Sequence, residues 1–232
     1  MNLFREVFNS LSHVAYPQIC EACKQPLGYG EKIICLLCDY NLPKTRYHLH
    51  RQNPMEKKFY GRVNINRATA FYFFQKEGKV QQLIHALKYR AQTEVGVFLG
   101  QLYSHDLAKV DDFKKTDLII PVPLHPLKEK KRGFNQSNYI AEGMVEGLKT
   151  EWKKDILIRS QFTETQTRKR RLARWSNVET IFKVVNESAV KEKNILLVDD
   201  VMTTGATAEA CAVELQKVGA KEINIATLAF AI

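Results

Sequence analysis

Lys193 to Thr207, KNILLVDDVMTTGAT, is the stretch whose reading decides the fold. Four apolar residues, Ile195 to Val198, run straight into the acidic pair Asp199 and Asp200, as expected of a buried strand with carboxylates at its carboxyl end. After Val201 and Met202 comes a turn of small residues, Thr203, Thr204, Gly205, Ala206 and Thr207. From Ala208 onward, Ala208, Cys211, Ala212, Leu215 and Val218 recur at the spacing of one helix face, and Gly219 supplies a stop. Strand, acidic pair, loop and helix amino terminus together predict the crevice in which an open parallel sheet holds its ligands.

Residue types say what such a crevice takes. A loop of small residues lets backbone N–H groups close around a phosphate, threonine hydroxyls add donors, and the helix amino terminus contributes its positive end. Two carboxylates just upstream would repel that anion, but they accept hydrogen bonds from a sugar diol and can help hold a hydrated divalent cation. A phosphorylated sugar fits both halves. The loop is not a Walker A sequence, since no lysine follows the glycine, and it lacks the glycine spacing of a dinucleotide fingerprint.

The rest of the chain sets bounds on this reading. Its 232 residues are enough for a full core, and 45% hydrophobic with 26% charged content is ordinary for a soluble globular protein. A formal charge of +10 suits anionic partners, either phosphorylated small molecules or nucleic acid. The longest apolar run, Ile225 to Ile232, is interrupted by Thr227 and predicts a terminal strand, so no integral membrane segment is expected. The amino terminus lacks the pattern of a signal peptide, and a cytoplasmic location is the expectation. Leu3, Phe4, Val7, Phe8, Leu11 and Val14 form a helical apolar stripe, expected to pack on the protein more readily than on a membrane surface.

Cys20-x2-Cys23 and Cys35-x2-Cys38 stand eleven residues apart, with Pro26, Gly28 and Gly30 turning the chain between them. Each knuckle aims two sulfurs at one point, and four thiolates complete the tetrahedron of a structural zinc site; iron or a redox dithiol is the alternative. Such a site leaves no open position for chemistry. His48 and His50 follow in a basic, polar stretch, Lys44 to Lys58, read as a linker. Cys211 is expected to be a packed core residue.

Beyond the linker, Ala68 to Phe74 predicts a strand, and Val80, Leu83, Ile84 and Leu87 an amphipathic helix ending in Lys88-Tyr89-Arg90. A second helix is expected over Glu94 to Val110, then a strand over Leu118 to Val122. That strand opens a basic loop, HPLKEKKRGFNQ, with Lys128, Lys130, Lys131 and Arg132 beside Gly133, followed by a helix through Leu148. Taken alone the loop reads as a solvated charged turn; beside a phosphate motif its cations would balance a pyrophosphate. Asp155 to Arg159 and the region near Thr180 to Val185 predict further strands. Between them Arg168, Lys169, Arg170, Arg171 and Arg174 put five cations in seven positions, and Trp175 adds a stacking surface suited to single-stranded nucleic acid.

VDDVMTTGAT resembles the phosphoribosyl pyrophosphate (PRPP) motif of type I phosphoribosyltransferases. Over nearly the whole chain, YPQICEAC, PVPLHPLKEKKRGFNQ, TETQTRKRRLARWSN and LLVDDVMTTGAT, in that order, resemble the ComF family of competence-associated phosphoribosyltransferase-like proteins. The resemblance implies an α/β fold of the type I phosphoribosyltransferase kind: residues 59–232 as a central parallel sheet flanked by helices, and residues 1–58 as the amphipathic helix, a zinc-ribbon-like module held by Cys20, Cys23, Cys35 and Cys38, and the linker. It implies that Asp199 and Asp200 contact ribose hydroxyls and a magnesium shell. Thr203, Thr204, Gly205, Ala206 and Thr207 would take the 5-phosphate, and Arg132, with Lys128 and Lys131 behind it, the pyrophosphate. Arg159 to Asn177 would be the loop that closes over substrate.

Two functions follow as expectations. One is a magnesium-dependent phosphoribosyltransferase, with Asp199, Asp200 and Arg132 as catalytic residues and an acceptor that no stretch of sequence spells out. The other is a DNA-uptake factor that binds single-stranded DNA through Arg168, Arg170, Arg171 and Arg174, keeps PRPP as a regulatory or vestigial ligand, and works with other competence proteins.

Overall fold

The protein is described from a computed structural model covering residues 18–159 and 181–231. Both the amino-terminal apolar stripe and the basic run from Arg168 to Arg174 lie outside these residues, as does most of the expected closing loop.

Among the described residues the strands are β1 (Arg67–Phe74), β2 (Leu118–Pro121), β3 (Glu151–Trp152), β4 (Leu157–Arg159), β5 (Phe182–Val184), β6 (Asn194–Met202) and β7 (Glu222–Ala231). Five of them form one sheet in the order β1-β7-β6-β2-β3, with every neighbouring pair parallel. β4 and β5 make a small antiparallel pair apart from it. The helices are α1 (Leu36–Asn41), α2 (Pro54–Lys57), α3 (Lys79–Tyr89), α4 (Thr93–Leu107), α5 (Asp111–Lys114), α6 (Pro126–Arg132), α7 (Gln136–Leu148) and α8 (Ala206–Lys217).

A parallel sheet must be covered on both faces, which is why its central strand is apolar without interruption. On β6, Leu196 and Val198 enter one core with Leu87, Leu99, Ile140 and Met144 from α3, α4 and α7. Ile195 and Leu197 enter the other with Met55, Phe59, Ala208, Cys211 and Leu215. α4 and α7 touch backbone to backbone: a Cβ at Gly143 would collide with the carbonyl of Val97. Cys211 is fully buried among these apolar side chains, as the sequence predicts.

Connections leave β2 and β6 in opposite directions. α7 carries the chain from β2 outward to β3, and α8 carries it from β6 outward to β7, over the other face. The gap between the carboxyl ends of β2 and β6 is therefore the topological switch point of the sheet, where open α/β folds place ligands.

Two segments differ from expectation. The stretch from Lys44 to Lys58, read as a linker, is packed onto β1: Thr45 N–H donates to the Phe71 carbonyl at 2.9 Å, and Phe73 N–H to the Pro43 carbonyl at 2.9 Å. Asn53 caps α2, and Met55 and the following Phe59 are buried beneath the sheet. Polar composition hid this, because the buried contacts come from single residues set among exposed ones. Arg67 supplies the anchor. Its buried guanidinium bonds Glu56 Oε1 at 2.7 Å, Asp112 Oδ2 at 2.8 Å and the carbonyls of His48 and His50 at 3.0 and 3.1 Å. The second difference is the basic loop after β2, which contains α6. Pro126 opens it, the His125 ring accepts from Leu127 N–H at 3.2 Å, and Gly133, at φ 87°, closes it.

Candidate functional site

The site is built on the last turn of α3, the ends of β2 and β6, and the first turns of α7 and α8. β6 continues past Val198 because its ladder to β7 persists: Asp199 faces Thr227 and Met202 faces Phe230. The acids thus sit on the strand itself, with rigid backbone under them. Asp199 Oδ1 accepts from Ser137 Oγ at 3.0 Å and from the Asp200 N–H at 2.8 Å. Ser137 is in turn fixed by Asn135, whose side chain accepts from Ser137 N–H and donates to the Val122 carbonyl at 2.9 Å. The FNQS segment therefore ties the start of α7 to the end of β2 and to the acidic pair.

Asp199 is half-buried, and burial together with the neighbouring Asp200 pushes its carboxyl up to about 7, while its two hydrogen bonds and Lys88 pull the other way. Asp200 is buried, on the face of β6 shared by Leu196 and Val198, toward α3. There Lys88 Nζ lies 2.9 Å from Asp200 Oδ2. The ammonium nevertheless sits off the hydrogen-bonding line, since Oδ2 is buried and lacks a hydrogen-bond partner. Proximity makes this an ion pair; geometry leaves the oxygen's lone pair unused.

Downstream, Thr203, Thr204, Ala206 and Thr207 are exposed and Gly205 is buried. Gly205 caps α8 at φ 82°, where a Cβ would press on Met202 Cε and Phe59 Cζ, both at 3.2 Å. The first intrahelical bond runs from Glu209 N–H to the Gly205 carbonyl, and Ala206 N–H has only a 3.4 Å contact with Thr204 Oγ1. The opening N–H groups of α8 thus face outward with small side chains around them, the arrangement that receives an anion. Arg62 braces the loop from behind, donating to the Thr204 carbonyl at 3.2 Å and pairing with Glu209.

Across the crevice, helical spacing brings Lys128, Lys131 and Arg132 to one side of α6. With Lys88, Tyr89, Ala91 and Phe134 they line a pocket of about 340 Å³. Arg132 bonds the Gln136 side chain and lies over the Tyr89 ring, 5.7 Å from its centre. Lys128 and Lys131 make no ion pair among the described residues. The structure thus brings Asp199, Asp200, Arg132, Lys128, Lys131 and the turn from Thr203 to Thr207 around one switch point. Lys88, Tyr89 and Ser137 join them without having been singled out in the sequence. Of the three, only Ser137 had a local signal, its place directly after the FNQ turn.

Next to the turn between α3 and α4, where Glu21 accepts from Gln92 Nε2 at 2.8 Å, Cys20, Cys23, Cys35 and Cys38 converge, all four sulfurs lying within 4.8 Å of one another. Cys23 Sγ and Cys35 Sγ are 3.8 Å apart, matching the edge of about 3.8 Å that a tetrahedron with metal–sulfur bonds of about 2.3 Å requires. Cys20 and Cys38 belong to the same core as Phe71, Tyr72 and Leu87, so the knuckles are welded to the sheet's cover. Neither His48 nor His50 joins the cluster.

A family model described as a phosphoribosyl transferase domain matches residues 139–231. This part of the chain is similar to a phosphoribosyl transferase domain. It holds β6, the acidic pair, the turn from Thr203 to Thr207, and α8. Curated relatives match over a longer span. DNA utilization protein YhgH of Escherichia coli (strain K12) is 26% identical over 90% of this chain and 95% of its own length. Competence protein F of Haemophilus influenzae is 29% identical over 63% of this chain and 66% of its own. Competence protein ComFC of Bacillus subtilis is 27% identical over 82% of this chain and 74% of its own. These names agree with the resemblance read from the motifs. No helix among the described residues is long and apolar enough to cross a membrane.

Proposed function

We propose that the protein binds PRPP together with magnesium and acts as a phosphoribosyltransferase in a process linked to DNA uptake. The observation that carries this reading is the switch-point crevice, where an acidic pair on a rigid strand end stands between an anion-receiving helix start and a pocket lined by four cations. Asp199 and Asp200 would accept hydrogen bonds from the ribose diol. The open N–H groups and hydroxyls of Thr203 to Thr207 would hold the 5-phosphate, and Arg132, Lys128 and Lys131 the diphosphate.

The unused lone pair on buried Asp200 Oδ2 and the half-buried Asp199 form a donor set suited to a hard divalent cation. Magnesium, when bound, would neutralise charge on the leaving diphosphate. In the reaction the C1–O bond to pyrophosphate breaks, a bond from C1 to the acceptor nitrogen forms, and pyrophosphate leaves with the electron pair. The protein's own part is to fix the ribose between two anchored anions and to stabilise the departing charge with preorganised cations.

Calorimetric titration of PRPP with and without magnesium tests the reading. Wild type is expected to bind only with magnesium, and Asp199→Asn with Asp200→Asn to lose binding while remaining folded. Wild-type protein that is folded and metal-loaded yet fails to bind would overturn the reading. Single-stranded DNA binding through the basic run from Arg168 to Arg174 would then lead, a role favoured by the net charge of +10 and the names of the relatives.

For the cysteine cluster we infer structural zinc. Metal analysis of the purified protein should give one zinc per chain, and Cys38→Ser should lower the melting temperature by about 10 °C, because the cluster shares its core with the sheet. Iron in its place would overturn the assignment.

A further inference from the structure

Lys88 is the one cation among the described residues that touches both halves of the site. It sits in the last turn of α3, where a lysine also suits the negative end of the helix. Its ammonium is 2.9 Å from Asp200 Oδ2, and it shares the wall of the 340 Å³ pocket with Lys128, Lys131 and Arg132. Three features show a contact poised to change. Asp200 Oδ2 is occluded and accepts no hydrogen bond, so the contact is electrostatic and poorly directed. The Lys88 side chain is itself 22% exposed, so it can swing without unpacking α3. The pocket it would swing into is cationic, with two lysines lacking any ion pair among the described residues, and becomes hospitable to Lys88 only when an anion fills it.

Resting on the reading of the crevice as a magnesium and PRPP site, we propose that Lys88 is an exchangeable counter-ion. With the site empty its ammonium neutralises buried Asp200. When a divalent cation takes over that carboxylate, Lys88 moves to the diphosphate. The exchange makes cation and diphosphate binding mutually reinforcing: the metal cannot reach Asp200 without displacing the ammonium, and the displaced ammonium has somewhere favourable to go only if the anion is present. It also keeps two adjacent carboxylates from standing unbalanced in a half-buried site.

This role has a signature that a merely structural lysine lacks, namely effects of opposite sign on the two ligands. Calorimetry would titrate wild type, Lys88→Met and Lys88→Arg with manganese alone, with inorganic pyrophosphate in excess magnesium, and with PRPP in excess magnesium. Lys88→Met should bind manganese about tenfold more tightly, its competitor being gone, and magnesium pyrophosphate about tenfold more weakly, one charge contact being lost. Lys88→Arg should stay close to wild type for both. Thermal melting checks each variant, and Lys88→Gln replaces Lys88→Met if the latter does not fold. If both affinities fall together, or neither moves, while wild type binds PRPP, the counter-ion role is wrong and the transferase reading stands. Wild type that binds neither PRPP nor pyrophosphate overturns both.

Discussion

The two ends of the parallel sheet are polar in opposite ways. At the amino end, Arg67 is buried with its donors engaged by Glu56, Asp112 and backbone carbonyls. Asn53 there donates to three carbonyls, and Asn66 and Asn224 close the ring around Asp112. At the carboxyl end, Asp200 Oδ2 has an ammonium beside it but no hydrogen bond, Lys128 and Lys131 lack partners among the described residues, and the threonines of the turn point outward. A finished polar network stabilises a fold; an unfinished one is held open for something else. Sequence polarity is the same at both ends, and only the accounting of partners tells them apart.

Substitutions should therefore act in opposite directions. The largest effect is expected from Arg67→Leu, which strands the Glu56 carboxylate and the His48 carbonyl in the interior and should cost about 3–5 kcal/mol in denaturant unfolding. Any folded fraction should bind PRPP as wild type does; a change in affinity there would blur the distinction between the ends. Next, Gly205→Ala forces a side chain into a left-handed conformation against Phe59 and Met202. It should cost about 1–3 kcal/mol and weaken PRPP binding as well, because the strained residue forms the anion loop.

Asp199→Asn should go the other way. Its carboxyl is raised from 3.8 to about 7 in the folded chain, so the folded state holds that proton more tightly than the unfolded one. That contribution to stability is full below about pH 4 and is lost as pH rises through about 7. The asparagine variant should flatten this decline and be about 2 kcal/mol more stable than wild type at pH 8, discounting for partial exposure, while binding PRPP poorly. Stability and function would then separate cleanly, and an unchanged pH profile would count against the strained acidic pair.

Local patterns made much of this legible. β6, its acids, the turn and α8 are consecutive, so periodicity and turn chemistry show them together; the four cysteines announce themselves by spacing alone. The strands near β1, β2 and β7 follow from runs that are apolar almost throughout, broken only by Thr69 and Thr227. What escaped was tertiary. Lys88 meets Asp200 across more than a hundred residues, with no motif linking them. Residues 44–58 looked like a linker because their burial depends on Arg67, Asp112 and the edge of β1, none of which their own composition shows. α6 was hidden inside a charged run that reads equally well as a solvated turn, although Pro126 and Gly133 mark its ends.

β1, the first strand of the sheet, has β7 as its only sheet neighbour among the described residues, from Arg67 against Asn224 to Phe74 against Ala231. During synthesis that edge has no partner until the residues of β7 have left the ribosome. Some 150 residues of nascent chain must wait with an apolar strand unpaired, and closure of such a distant parallel contact is slow. Residues 43–45 bond to the opposite edge of β1, so in the interval they cover that side of the strand while the edge that receives β7 stays open.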